Sequence, residues 1–151
     1  MSGFGKIVLP PLTMVPPSTA RSYLIAARDM LEGAEVLASS KPRKLLACAF
    51  LSGQSLECAL KAFLSATGWA ETELKSKSIR HNLNALWVEC YRSGLAIHQD
   101  PARWCSLLNS AHDSPYYFRY PMKINGMVLP EPNQMINELR VIVDLVAEVV
   151  K

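Results

Sequence analysis

The chain has 151 residues, half of them apolar and about a fifth charged, which suits one folded domain with a sizeable core rather than a disordered chain. A net charge of +3 is too small to imply nucleic acid by itself. The positive excess lies in residues 1–80, in two groups: Lys41, Arg43 and Lys44 open one long apolar segment, and Lys75, Lys77 and Arg80 follow it. A helix from Arg43 to Thr67 would hold those groups roughly 37 Å apart at 1.5 Å per residue, so two ends of a bundle are expected rather than one basic patch.

In chain order, residues 1–17 carry Pro10, Pro11, Pro16 and Pro17 with Gly3 and Gly5, and read as a Pro-rich N-terminal arm. Residues 18–151 form the helical domain. Ser18 or Thr19 can cap a first helix, in which Tyr23, Ala26, Ala27, Met30, Ala34 and Leu37 recur at helical spacing up to Ser39. Pro42 suits the first turn of a second helix. Leu45, Leu46, Ala49, Phe50, Leu51, Leu56, Leu60, Phe63 and Leu64 cover most of its circumference, the mark of a central helix, and Gly68 ends it. Gly53 costs about 1 kcal/mol against Ala inside a helix, so a close approach by another helix backbone is the expected reason for it.

Ala70 to Ser78 is polar, a turn of helix plus loop. Asn82 to Ser93 is a third helix with Leu83, Leu86, Trp87 and Cys90 on one face. Pro101 to His112 is a fourth, with Asp100 as its cap. Asn125-Gly126, between the β-formers of Tyr116 to Leu129, signals a small hairpin or a structured loop. A last helix runs Asn133 to Val150 on Ile136, Leu139, Val143, Val146 and Val150. The fold class is therefore all-α, a four- to five-helix bundle.

Four cysteines with no ligand-like spacing, two of them in apolar helical stretches, suggest free thiols and a reducing, cytoplasmic setting. The run from Ile7 to Leu12, broken by Pro10 and Pro11, is no signal-peptide core, and Leu45 to Leu51 is too short to span a membrane, so no membrane role is expected. No phosphate-binding Gly-rich loop, HExxH, GxSxG or dinucleotide fingerprint is present, which leaves metal, serine-hydrolase and cofactor chemistry without support at this level.

Four constellations carry possible chemistry. Arg43, Gln54, Glu57, Lys61 and Ser65 fall near one side of the central helix, with Glu57 and Lys61 an i,i+4 pair. A solvated strip is the default reading; the sharper one is a cleft in which Glu57 orients a cation. His81 sits where a loop becomes a helix, a place where imidazoles usually cap or pack, and where the helix dipole disfavours the protonated ring. Arg92 and His98, five residues between them, could pair for RNA cleavage by 2′-OH attack, the Arg holding phosphate and the His moving a proton. Tyr116, Tyr117, Arg119 and Tyr120 could stack bases and hold phosphate, or simply plug the end of a bundle.

Gly53-Gln54, Leu56-Glu57-Cys58-Ala59-Leu60-Lys61-Ala62, Gly68, His81-Asn82-Leu83 and Leu86, with Arg119-Tyr120-Pro121 later, resemble the HEPN family over roughly residues 20–150. Members of that family are small helical bundles common in prokaryotic toxin–antitoxin and defence loci. The resemblance implies frequent homodimerisation and RNA- or nucleotide-related roles; a protein partner from the same locus is a further candidate, and no cofactor is expected. Glu57, Lys61, His81 and Arg119 are the residues expected near any ligand cleft. Active members are metal-independent endoribonucleases that carry an Arg followed shortly by a His; Arg92 and His98 match that spacing, with Glu57 to orient the Arg, whereas Arg103 and His112 are too far apart. The family motif sits within a later helix, and here Gly94 intervenes. The expectation is a non-catalytic binding or regulatory module, with the ribonuclease as its rival.

Overall fold

The computed structural model describes residues 15–151, so most of the Pro-rich arm lies outside the described residues. Six helices follow in order: α1 (Thr19–Ser39), α2 (Leu45–Ala66), α3 (Glu71–Leu74), α4 (Leu83–Arg92), α5 (Arg103–His112) and α6 (Pro132–Val149). The bundle is all-helical among the described residues, with one helix more than expected, because the polar stretch after Gly68 includes the single turn α3.

α2 is the hub. α1 lies along it, α6 packs on both, and α4 and α5 cover its remaining side. Much of the apolar circumference of α2 is thereby covered: Leu56, Leu60, Leu64, Ala59 and Ala62 are all fully buried, while Leu45 and Leu46 in its first turn stay exposed. Two short side chains tie neighbours to it. Ser55 Oγ donates to the Ala27 carbonyl of α1 at 2.7 Å, and Cys90 Sγ of α4 donates to the Leu60 carbonyl at 3.3 Å. The last helix buries Ile136, Leu139, Val143 and Val146, and its C-cap residue Val150 is buried with them, the face read from the periodicity.

Helix ends follow local chemistry, with two departures from expectation. Ser18 Oγ accepts from the Arg21 amide, Asn82 Oδ1 from the Ala85 amide, and Glu131 from the amides of Asn133 and Gln134 with Pro132 in the first turn. Gly68 (φ +106°) and Gly94 (φ +99°) reverse the chain after α2 and α4 in a conformation that disfavours side chains. Pro42, however, lies before α2 rather than in its first turn. The Lys44 amide donates back to the Leu37 carbonyl, and Ser40 Oγ donates to the carbonyls of Leu37 and Pro42, so the α1–α2 corner closes before helix begins. α5 starts after Ala102, two residues later than the Asp100–Pro101 cap would place it.

No hairpin forms at Asn125-Gly126; residues 120–130 are a loop without strand. A ribbon needs one covered apolar face to hold its register, and Tyr120, Met122 and Val128 are all exposed. The segment is anchored upstream instead, where the Phe118 amide donates to the Ala111 carbonyl and the Phe118 ring meets Phe50 edge-on. Among the described residues no helix is long and apolar enough to cross a membrane.

Candidate functional site

An apolar central helix carries one acidic residue, and the fold closes over it. Glu57 is 7 % exposed and Lys61, one turn on, is 5 % exposed, so the solvated-strip reading of this pair is overturned. The physical reason is that α5 and the loop before α4 cover this side of α2 with polar groups that match it. Lys61 Nζ donates to Glu57 Oε1 at 2.7 Å. His112, in the last turn of α5 and 4 % exposed, places Nε2 2.6 Å from Glu57 Oε2. His81, at the end of the α3–α4 loop, brings Nδ1 to 3.2 Å from the same oxygen. An ionised carboxylate only accepts, so the imidazole nitrogen that faces it is the one that carries a proton.

Gly53 explains how His112 fits. A Cβ at this position would lie 2.9 Å from His112 Nδ1. The close approach read from the glycine is real, but the partner is an imidazole ring and not a helix backbone. His112 is thus held between the bare backbone of α2 and the carboxylate one turn further along it. Sequence reading missed this residue; the available signal was a costly glycine four positions before a lone acidic residue on an apolar helix.

Burial alone would raise the Glu57 carboxyl. The hydrogen bond from His112 and the charge and hydrogen bond of Lys61 outweigh it and hold the group at about 2, against an ordinary 4.5. A carboxyl lowered on folding stabilises the native state fully above its unfolded value and stops doing so as pH falls through its folded value. The Glu57 contribution should therefore be complete above pH 4.5 and fade toward pH 2. Urea midpoints measured between pH 6 and pH 2 should fall through that window, and Glu57→Gln should flatten the fall; an unchanged slope would mean the carboxylate is not held in this network.

His81 is where the network reaches the surface. Its side chain is 25 % exposed, against 2 % for that of His112. Its ring meets the Tyr116 ring edge-on at 5.7 Å, and that of His112 at 6.3 Å. Tyr116 adopts φ 62°, a turn conformation in which the Arg119 and Tyr120 amides both donate to its carbonyl. Arg119 is exposed and Arg80, directly before His81, is half-buried. The first-turn amides of Leu83 and Ala85 in α4 are already taken by Asn109 and Asn82, so that helix start offers fewer free donors to a ligand.

The Arg92–His98 pair is not assembled around Glu57, whose oxygens are already taken by Lys61, His81 and His112. Arg92, exposed at the end of α4, pairs with Glu89 at 3.0 Å. The exposed His98 ring accepts the Asp100 amide through Nδ1, while its carbonyl accepts the Trp87 indole N–H. Gln54 and Ser65 flank the buried pair as half-buried groups, and Arg43 is exposed before α2 begins.

The four thiols are free. Burial pushes Cys58 up to about 11, helped by the nearby Glu57 charge, and Cys105 to about 12; Cys90 is raised by burial and by Glu89. They are inert protonated thiols at neutral pH. Two surface cavities of about 460 Å³ lie away from the Glu57–His112 contact, one beside Trp104, Leu129 and Glu138, the other beside Tyr23, Cys58 and Glu71. No family model, curated protein or solved structure matches the chain.

Proposed function

We propose that the protein is a HEPN-like helical domain that works as a binding or regulatory module, and that its ligand carries phosphate, as an RNA strand or a nucleotide does. The observation that supports this reading is that Glu57 uses both oxygens inward, on Lys61, His81 and His112, and so fixes one imidazole at the surface. The Tyr116 ring meets that imidazole edge-on, the half-buried Arg80 directly precedes it in the chain, and the exposed Arg119 is bonded through its backbone to Tyr116. Guanidinium groups recognise phosphate, and an aromatic edge beside them suits a base. Lys61 supports the site from within, as the buried counter-charge of Glu57. The free thiols accord with a reducing, cytoplasmic setting. A homodimer is part of this reading.

Fluorescence anisotropy with a labelled single-stranded RNA, and competition by nucleotides, tests it. Arg119→Ala should weaken binding about tenfold, roughly 1.4 kcal/mol, without altering the fold; unchanged affinity would remove Arg119 and the surface it marks. Binding of neither RNA nor nucleotide would turn attention to a protein partner from the same locus. The same RNA incubated in EDTA reports on the rival: cleavage lost in both Arg92→Ala and His98→Ala would make the protein a metal-independent endoribonuclease.

A further inference from the structure

Glu57, His81 and His112 present three potential metal-ligand atoms, all within 4.8 Å of one another. They come from three separate elements: the middle of α2, the α3–α4 loop and the last turn of α5. Two imidazole nitrogens and one carboxylate oxygen form a donor set suited to zinc and its first-row neighbours, and three protein ligands leave a fourth position open. We infer that Glu57 Oε2, His81 Nδ1 and His112 Nε2 form a binding site for one zinc-class divalent cation.

The surroundings fit the ligands. Lys61 holds Glu57 by Oε1 at 2.7 Å, which leaves Oε2 as the oxygen aimed at both imidazoles; a ligating carboxylate is ordinarily oriented by such a partner on its other oxygen. Gly53 makes room for the His112 ring, which could not stand this close to a side chain at that position. His81, a quarter exposed, gives the ion a way in and puts the open position at the surface beside Tyr116.

Binding requires a defined change. The facing nitrogen of each imidazole now donates a hydrogen bond to Glu57 Oε2. Each ring must take its other tautomer, the proton passing to the far nitrogen, so that the lone pair faces the ion. The Nε2–Oε2 separation must open beyond its present hydrogen-bonded 2.6 Å. One carboxylate and one ammonium beside a divalent ion leave a net positive centre, which selects an anionic fourth ligand: hydroxide or a phosphate oxygen.

The site is independent of the RNA or nucleotide reading, because the probe is the metal alone. Protein dialysed against EDTA and then into metal-free buffer is titrated with Zn2+ against a chromophoric indicator, and thermal unfolding is followed with and without Zn2+. One equivalent per chain, a raised Tm, and at least 100-fold weaker binding in His81→Ala are expected. His81 is the ligand to vary because, being partly exposed, its loss leaves the buried Glu57–His112–Lys61 contacts in place; circular dichroism verifies the fold. No stoichiometric binding to the wild type overturns the inference, and so does equal affinity in wild type and a folded His81→Ala.

Discussion

Glu57→Ala is expected to cost about 3–5 kcal/mol of folding free energy, the largest effect of any single substitution considered for this chain. The loss is not that of one ion pair. With the carboxylate gone, the Lys61 ammonium is left 5 % exposed with no counter-charge, and the N–H groups of His112 and His81 lose their acceptor. A buried unpaired charge and an unsatisfied buried donor each carry a desolvation cost of their own. Glu57→Gln should cost less, since the amide oxygen still accepts from one donor. Adding Lys61→Met to Glu57→Ala should recover part of the loss by removing the stranded charge, a non-additive result that a surface pair would not produce. Urea unfolding of the three variants measures it. A loss below about 1 kcal/mol for Glu57→Ala would contradict the buried network.

Gly53→Leu is expected to be the second most damaging change. The Cβ alone would stand 2.9 Å from His112 Nδ1, and the ring cannot retreat freely because its Nε2 is bonded to Glu57 at 2.6 Å. The rest of the leucine side chain must then displace α5 or break that bond. Overpacking of this kind costs about 1–3 kcal/mol, more than the roughly 1 kcal/mol of helix propensity that replacing glycine recovers. The discriminating experiment pairs Gly53→Ala with His112→Ala. If the imidazole is the obstacle, Gly53→Ala should destabilise the wild type and stabilise the His112→Ala protein, where only the propensity gain remains. A stabilising Gly53→Ala in the wild type would show that the ring yields without loss.

The two variants probe the same feature from opposite sides, and that feature was half legible in the chain. Glu57 and Lys61 stand out as an i,i+4 pair on an apolar helix, and Gly53 as an unexplained cost within it. Their spacing leaves open whether water or protein lies beyond them, because periodicity assigns a residue to a face and says nothing of what covers that face. Of the two readings of Asn125-Gly126, hairpin or structured loop, the loop formed, for the same kind of reason. The turn signal is local, whereas a ribbon requires a covered face, and Met122 and Val128 find none.

What the sequence determined by itself was set by contacts a few residues apart. Helical periodicity, the Ser18 and Asn82 caps, the reversals at Gly68 and Gly94 and the apolar girth of α2 define an all-α bundle around a central helix. The tertiary structure alone decided that Glu57 is buried, that His81 and His112, 24 and 55 residues away, share its Oε2, and that Gly53 faces a ring. Local propensity acts over one or two turns of helix. Convergence of three elements on one carboxylate depends on how α2, α4 and α5 dock, which the pattern along any one of them does not encode.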